Sequence, residues 1–416
     1  MLLHGYLALA AKDDQKNRDL PGGIAMNILM AHPHDIHSSL EPWTVRIVYI
    51  AREFVKKGHR VKLVYFPLKP EKRAAYILEE GIEAIPLSRR LGPHRFIRNV
   101  FKIYKMAAWV DILHFQKCFY HASIPVIIAG LLRGKPVHYD WDDWELKIFE
   151  VSTEGGALRN CLRFFISLLE KTLPKICDTV SVASERLKKE CLRLGVDENR
   201  VFESHVGADL SRFHPEVSGD MVLRKHSIRK PLVLYLGQLH GGQYADLFIK
   251  AAGKIRSEFN HDVQFMIVGD GYMAGELKKR CGELNLEESI IFVGAVPHDD
   301  VPRYIAAADV CVACFERNDV TMCKSPLKIV EYLASGKAIV ASEVGEVPRM
   351  LKGAGILVAP GDGASLAGGI SRILNDNNLK LQLEKSARLR AEEKYNWKVT
   401  AEHILSAYQM AINHHV

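Results

Sequence analysis

The sequence lacks the features that mark membrane-spanning and disulfide-stabilised proteins. It contains no uncharged apolar run of about 18 residues, the least that crosses a bilayer, and Ala122–Leu132 comes nearest. Its eight cysteines are scattered, and Cys311 and Cys314 form a CxxC without a second pair at zinc spacing. We therefore expect buried free thiols in a protein of the reducing cytoplasm.

An excess of acidic residues is absent as well. The net charge is +7. All of this positive excess falls in residues 1–215, which hold 32 Lys and Arg against 25 Asp and Glu. Much of it lies in residues 89–105, where basic side chains alternate with apolar ones. Such a basic amphipathic helix either contacts an anionic membrane surface or packs its apolar side in the core. No recognition motif for nucleic acid accompanies the charge, so we expect no nucleic-acid partner.

The length of 416 residues exceeds one ordinary core and predicts two domains. Residues 1–24 have an apolar run without a basic segment before it, and we interpret them as a disordered leader. We predict the first domain at 25–212 and the second at 213–395, because residues 199–215 lack periodicity and are typical of a linker.

The first domain opens with a strand, a helix and a strand. Ala25–Ala31 and His59–Phe66 are apolar and β-branched, and Thr44–Lys57 has helical periodicity before Gly58. This order predicts a doubly wound parallel sheet of the α/β class. Ligands of such sheets gather at the carboxyl ends of the strands.

Two polar clusters follow strands of the first domain. The loop after the first strand is rich in histidine, which fits either substrate contact or a metal, and we favour substrate contact without a metal. A second cluster follows the strand Pro136–Tyr139 and is rich in carboxylates, which favours a binding site over a solvated turn. The candidate residues are His32, His34, Asp35, His37 and Glu41 in the first cluster and Asp140, Asp142 and Asp143 in the second.

Strands of the second domain repeatedly end in glycine. Gly237 follows PLVLYL, Gly269 follows VQFMIV, and Gly294 follows IIFV. Glycine leaves room for the backbone to approach a ligand, and this pattern is typical of nucleotide clefts.

The segment SPLKIVEYLASGKAIVAS, residues 325–342, predicts a helix followed by a buried strand. Ser325 suits an N-cap and Pro326 the first helical position. A helix start of this kind attracts an anion such as a phosphate, and Lys328 adds a cation one turn inside. Glu331, on the same predicted face, could accept hydrogen bonds from the vicinal hydroxyls of a sugar. The alternative is an ordinary helix whose Lys and Glu are solvated.

These segments together resemble the GT-B glycosyltransferases, in particular retaining enzymes of family 4. The similar stretches are VLYLGQL, FMIVGDG, IIFVGAVP, YIAAADVCVA, SPLKIVEYLASGKAIVAS, ILVAPGDGASLA and KYNWKVTAEHILSAY in the second half and, more loosely, DILHF, PVHYDWDDWE and VGAD in the first. The resemblance implies two Rossmann-like domains that face each other across a cleft. It also implies that residues 396–416 form a helix returning to the first domain.

The resemblance further implies roles for individual residues. Glu331 would hold the ribose hydroxyls, the backbone near Gly294 the base, and Ser325–Leu327 the diphosphate. Asp143 would lie near the transferred sugar, so the predicted catalytic residues are Asp143, Lys328 and Glu331. The donor-binding residues would be Gly237, Gln238, Gln243, Gly269, Gly294, Ser325, Pro326, Leu327, Lys328 and Glu331, and the acceptor-binding residues His32, His34, Asp35, Glu41, Asp140 and Asp142.

Departures from the family pattern fall on the diphosphate site. The family has Arg and Lys after the first glycine-ended strand, whereas this chain has Gln238 and Gln243. Cys323 stands where the first of two paired glutamates is usual. Glutamine donates hydrogen bonds but brings no charge to the leaving group. Lys324 and Lys328 are therefore predicted to compensate.

We accordingly expect a retaining, metal-independent glycosyltransferase of bacterial surface polysaccharide or glycolipid synthesis. A nucleotide sugar is its expected substrate, with no separate cofactor, and a saccharide or lipid-linked molecule is its acceptor. We place it in the cytoplasm, with peripheral contact to the inner membrane face through residues 89–105. The alternatives are a non-catalytic GT-B binding protein, a transferase with a polyprenyl-phosphate sugar donor, or another GT-B enzyme such as an epimerase.

Overall fold

The computed structural model describes residues 25–38, 44–69, 75–78, 81–90, 92–153, 155–240, 244–259 and 262–415. The predicted leader 1–24, Glu41 and Gln243 lie outside the described residues. The chain divides into two compact units: one of residues up to 182 with 188–204 and 401–416, the other of 183–187 with 205–400. Each unit contains one sheet with helices, so the α/β class with two Rossmann-like domains is confirmed.

An eight-stranded sheet forms the first unit. Its strand order is β3-β4-β2-β1-β5-β6-β7-β8, and all neighbours pair in parallel except β3 with β4. Five residues of β1 are buried, as expected of a central strand in a parallel sheet. The strands are β1 (Asn27–His32), β2 (Arg60–Tyr65), β3 (Tyr76–Ile77), β4 (Glu83–Pro86), β5 (Ile112–Gln116), β6 (Val137–Trp141), β7 (Thr179–Val182) and β8 (Val201–Glu203).

A six-stranded, wholly parallel sheet forms the second unit, in the order β11-β10-β9-β12-β13-β14. The apolar runs predicted as strands in this half all pair here, and their side chains form cores on both faces of the sheet. The strands are β9 (Leu232–Leu236), β10 (Gln264–Val268), β11 (Ile290–Gly294), β12 (Val310–Ala313), β13 (Ala338–Ser342) and β14 (Ile356–Val358).

The helices connect the strands and cover both sheets. In the first of them, Ile47, Ile50, Ala51 and Phe54 recur at helical spacing and are buried. The helices are α1 (Val45–Lys56), α2 (Pro93–Ala107), α3 (Tyr120–Arg133), α4 (Glu145–Ser152), α5 (Ala157–Ile176), α6 (Glu185–Arg193), α7 (Asp220–Lys225), α8 (Ala245–Lys254), α9 (Ala274–Glu283), α10 (Val301–Ala307), α11 (Asp319–Cys323), α12 (Leu327–Ala334), α13 (Val347–Leu351), α14 (Gly363–Asn375), α15 (Asn377–Glu393) and α16 (Trp397–His415).

The strand order reverses at one place in each sheet. In the first sheet β2 and β5 flank β1, and in the second sheet β10 and β12 flank β9. Successive connections leave such a point in opposite directions, so a crevice opens at the carboxyl ends of the strands. Among the described residues, His32 lies at the carboxyl end of β1, and Gly237 and Gly269 follow the carboxyl ends of β9 and β10.

The final helix contributes to the first unit. The Tyr408 hydroxyl of α16 and Nδ1 of His114 in β5 form a buried hydrogen bond of 2.7 Å. Tyr408 also packs on Phe54 of α1, with 5.5 Å between ring centroids. Residues 401–415 therefore share the core of the first sheet.

Two expectations about local structure need correction. The predicted linker 199–215 contains β8, because Val201–Glu203 pairs with β7 as the eighth strand. The second unit begins at residue 205 rather than 213 and also takes in 183–187. Within the described residues, every helix is too short or too polar to cross a bilayer.

Candidate active site

Three side chains gather where the first sheet reverses. His32 ends β1, Gln116 ends β5, and Lys117 follows at once. His32 donates from Nδ1 to Oε1 of Gln116 at 2.8 Å, and Nε2 of Gln116 donates to Oδ2 of Asp142 at 2.6 Å. This chain of hydrogen bonds joins the predicted histidine cluster to the predicted carboxylate cluster through Gln116.

Lys117 lies among three carboxylates. Its Nζ is 2.6 Å from Oε1 of Glu145, 3.2 Å from Oδ2 of Asp143 and 3.3 Å from Oδ1 of Asp142. Lys117 has φ of 65°, a left-handed conformation that is uncommon outside glycine and occurs often at functional sites. Burial alone would lower the pKa of Lys117, but the carboxylates of Asp142, Glu145 and Asp143 raise it well above its ordinary value. The ammonium is therefore charged.

The same three carboxylates have the spacing of a cation site. Asp142, Asp143 and Glu145 each place an oxygen within 4.8 Å of the others. Burial raises the pKa of Asp142 to about 7, although Lys117 opposes that shift. The Lys117 ammonium lies among these carboxylates and offsets part of their negative charge.

Asp140 belongs to a buried ion pair. Arg46 of α1 donates to it twice, from Nε and from Nη2, at 2.8 Å each, and the Ser181 hydroxyl donates at 2.6 Å. Although burial opposes the change, Arg46 holds the pKa of Asp140 below its ordinary value. Asp140 is fully buried, and its carboxylate oxygens accept hydrogen bonds from Arg46 and Ser181 of the protein itself. Contact between Asp140 and the sugar acceptor stays a prediction.

The loop after β1 is held by contacts of its own. His34 is buried against the edge of the Phe119 ring, at 5.0 Å between centroids, and burial lowers the pKa of His34 to about 2. Asp35 accepts hydrogen bonds from the backbone N–H groups of His37 and Leu68. His34 is therefore neutral and can act as a polar contact rather than a charge.

In the second unit, the glycine-ended strands meet backbone to backbone. A Cβ on Gly269 would lie 1.9 Å from the carbonyl oxygen of Gly237, and Gly269 has φ of 138°. Gly269 also donates to the carbonyl of Gly294 at 2.9 Å. Only glycine fits position 269, and the space beside Gly294, where a Cβ would meet nothing within 4 Å, is open.

The helix predicted with Ser325 as its N-cap starts one residue later. Pro326 takes the N-cap position and α12 begins at Leu327, without a capping side chain among the described residues. Ser325 instead accepts a hydrogen bond at Oγ from the backbone N–H of Val206, at 3.4 Å. The helix therefore keeps N–H groups at its start that no side chain caps, which is the property expected of an anion site.

Glu331 is buried rather than solvated. Nε2 of His298 donates to its Oε1 at 2.9 Å, and Glu331 is 4% exposed. The alternative of an ordinary helix with a solvated Glu is wrong, because residues 329–335 are all buried. A buried carboxylate needs a partner, and His298 provides it.

Lys328 places a further buried cationic group, its Nζ, in the second unit. Its Nζ lies 4.5 Å from the centroid of the Tyr235 ring and 5.8 Å from that of Phe315. Burial lowers the pKa of Lys328 to about 8. Within the described residues its Nζ has no hydrogen-bond partner, which is costly for a buried ammonium and indicates a place for an anion.

Of the positions that depart from the family pattern, Gln238 and Cys323 lie among the described residues. Gln238 is half-buried after β9, and Cys323 is buried at the end of α11. Sequence reasoning missed Gln116, Lys117 and His298 as site residues. Gln116 ends β5, Lys117 follows it, and His298 lies in the segment after β11, so the rule that ligands gather at strand ends could have found them.

Comparisons with known proteins agree with the fold. Residues 230–376 match the family model described as glycosyl transferases group 1, and residues 44–212 match the model described as glycosyltransferase family 4. Together the two models span most of the chain. The chain therefore contains a family 4 glycosyltransferase domain followed by a group 1 glycosyltransferase domain. These domains and the relatives that share them are those of transferase enzymes.

Individual relatives of this glycosyltransferase are distant. An uncharacterized glycosyltransferase of Methanocaldococcus jannaschii is 25% identical over 57% of the chain, which spans 60% of that relative's length. The phosphatidyl-myo-inositol mannosyltransferase of Mycolicibacterium smegmatis is 24% identical over 92% of the chain and 94% of its own. The solved structure of Anabaena HepE in complex with UDP-glucose has a TM-score of 0.70 at 17% identity, covering 92% of the chain and 99% of its own.

Proposed function

We propose that this enzyme transfers a sugar, with retention of anomeric configuration, from a nucleotide-sugar donor to a saccharide or lipid-linked acceptor. The observation that carries the proposal is the buried ammonium of Lys328 at the start of α12, which has no hydrogen-bond partner among the described residues and lies one turn from the Glu331 carboxylate. The cation suits the diphosphate of a nucleotide, and the carboxylate suits the ribose hydroxyls, from which it can accept hydrogen bonds.

The leaving group explains why the cation matters. When the bond between the sugar and the diphosphate breaks, negative charge develops on the diphosphate. Fixed donors and cations in a site that excludes water stabilise such charge, by a few kcal/mol for one good donor. The N–H groups at the start of α12 together with Lys328 and Lys324 supply this stabilisation, and Gln238 adds a neutral donor.

The remaining roles follow from side-chain chemistry. Glu331, oriented by His298, accepts hydrogen bonds from the ribose hydroxyls, and the open backbone at Gly294 admits the base. Asp143, 26% exposed and held by Lys117, contacts the transferred sugar. Because Lys328, Lys324 and the start of α12 bring positive charge to the diphosphate, the proposed transfer needs no metal. Similarity to a protein bound to UDP-glucose and to a lipid mannosyltransferase supports a sugar nucleotide and a glycolipid or polysaccharide pathway.

Calorimetric titration with a panel of nucleoside diphosphates and their sugar conjugates tests the proposal. Saturable binding of one nucleotide, lost in Lys328→Met, is the expected result. Absence of binding to every member would overturn the nucleotide donor.

A second candidate rests on the neutral side chain of Gln238. A polyprenyl-phosphate sugar presents less negative charge than a nucleotide diphosphate, so its site needs fewer cations, and a binding protein without turnover needs none. Gln238→Arg separates the candidates. In a nucleotide-dependent enzyme, the substitution should leave the affinity for the donor unchanged or lower it. In a protein that does not bind nucleotides, the substitution should raise that affinity.

A further inference from the structure

Helix α5 carries an apolar stripe that the fold leaves uncovered. Its buried side is formed by Glu170, Leu173 and Pro174, and the opposite side presents large side chains to solvent. These exposed residues are Leu158 (74%), Leu162 (45%), Phe164 (68%), Phe165 (44%) and Leu168 (48%). Single exposed apolar residues are ordinary, but a contiguous patch marks an interaction surface.

The stripe has basic surroundings. Arg163, Lys171 and Lys175 are the exposed charged residues of α5, and its one carboxylate, Glu170, is buried. Arg163 is also 3.0 Å from Glu150 of α4, so Lys171 and Lys175 carry most of the positive charge. The exposed face of this helix therefore combines apolar and cationic side chains.

Helix α2 of the first unit also combines exposed apolar and basic side chains, and it lies on the same side of the sheet as α5. Ile97 and Phe101 are exposed beside Arg98, Lys102 and Lys105, and no acidic residue occurs in the helix. The connections from β4 to β5, from β5 to β6 and from β6 to β7 all run in one direction across the parallel sheet. Right-handed crossovers then place α2, α3 and α5 on one face, with α2 packed on α3.

We infer that α5 inserts its apolar stripe, Leu158–Leu168, into an anionic lipid surface, with the basic residues of α2 and α5 facing the headgroups. The inference extends the proposed membrane contact of residues 89–105 and does not depend on the sugar-transfer reaction. An apolar face bordered by Lys and Arg is the pattern by which helices lie in a membrane interface.

Charge favours lipid over a second copy of the chain. Two copies joined through α5 would bring Lys171 and Lys175 of both helices into one interface, where like charges repel. The stripe is also only about 15 Å long at 1.5 Å per residue. A stable interface between proteins needs about 800 Å² from each partner.

Cys161 provides a native probe for the test. It lies on α5 beside the stripe and is exposed, whereas the other seven cysteines are buried. An environment-sensitive fluorophore attached to Cys161 should brighten and shift to the blue with vesicles of phosphatidylcholine mixed with phosphatidylglycerol. It should change little with phosphatidylcholine alone.

A vesicle-binding assay with two matched double variants decides the inference. Leu158→Ser with Phe165→Ser should weaken binding to the anionic vesicles at least tenfold, because the serine side chains no longer transfer apolar surface from water into the lipid. Leu381→Ser with Leu389→Ser, which changes two exposed leucines of α15, should leave it unchanged. Both substitutions replace exposed residues, so circular dichroism should show intact folds.

Three results would overturn the inference. The unaltered protein could fail to bind anionic vesicles, or the α5 variant could bind them as well as the α15 variant. The third is a dimer, detected by sedimentation, that the α5 substitutions convert to monomers. Nucleotide titration of the α5 variant should match that of the unaltered protein, so failure here is distinguishable from failure of the donor proposal.

Discussion

Nε2 of His298 lies 2.9 Å from Oε1 of Glu331 and donates a hydrogen bond to a carboxylate that is almost fully buried. His298 follows the strand that ends in Gly294, so the base and ribose ends of the proposed donor site are joined by one contact. The pair fixes the direction of the Glu331 carboxylate before a donor arrives. Such preorganisation lowers the cost of binding.

Glu331→Gln should reduce affinity for the nucleoside diphosphate by roughly thirtyfold, or about 2 kcal/mol, because hydrogen bonds to a charged acceptor are lost. Calorimetry measures the change. Glu343→Gln, at an exposed carboxylate of the same unit, is the control and should bind as the unaltered enzyme does. Equal affinities for the two variants would remove Glu331 from the site.

Lys328 should make both donor binding and stability depend on pH. Its pKa is lowered from 10.5 to about 8, so between these values the native state holds fewer protons than the unfolded state. The free energy of unfolding should therefore rise as pH increases from about 8 to about 10.5. Donor affinity should move the opposite way and fall above about pH 8, as the ammonium loses its proton.

Lys328→Met tests both trends, with the exposed Lys385→Met as its control. Denaturant titration at several pH values should show the rise in stability in the control and not in Lys328→Met. A nucleotide affinity that declines with pH equally in both variants would show that another group governs binding.

Asp143→Asn should slow transfer more than it weakens donor binding, because the residue is proposed to contact the sugar rather than the nucleotide. We expect kcat to fall at least tenfold while the Kd for the nucleoside diphosphate stays within about twofold. Steady-state kinetics and calorimetry give the two numbers. Glu198→Gln, at a carboxylate paired with Lys188 in the same unit, should change neither, and unaltered turnover in Asp143→Asn contradicts the assignment.

Lys117→Met should convert the carboxylate cluster into a divalent-cation site. The three oxygens within 4.8 Å of one another would lose the ammonium that balances them, and hard cations prefer such oxygen sets. Calcium should raise the melting temperature of Lys117→Met and leave that of the unaltered enzyme unchanged.

A chelator should not affect turnover of the unaltered enzyme. A strict divalent requirement would instead revive the cluster of His32, His34 and His37 as a metal site.

The sequence predicts the parts of this fold that depend on local pattern. The strands before Gly237, Gly269 and Gly294 and the helix near Leu327 occur where apolar periodicity places them, within two residues. These features are readable because burial imposes a period on neighbouring residues.

The pairings that set the chemistry are not readable in this way. Arg46 meets Asp140 across 94 residues, and Gln116 joins His32 across 84. A carboxylate that pairs with a distant arginine has the same local pattern as one that contacts substrate. For this reason Asp140 was grouped with Asp142 and Asp143, and the burial of Glu331 against His298 was missed.

The hydrogen bond between His114 and Tyr408 has a consequence for the order of synthesis. The two residues are 294 positions apart, so at 5 to 20 residues per second the ribosome makes Tyr408 roughly 15 to 60 s after His114. During that interval the first sheet exists without the helix that covers Phe54 and His114. The second unit, by contrast, is nearly continuous in sequence and can fold as it emerges. We expect the nascent first unit to be the stage at which this chain depends most on chaperones.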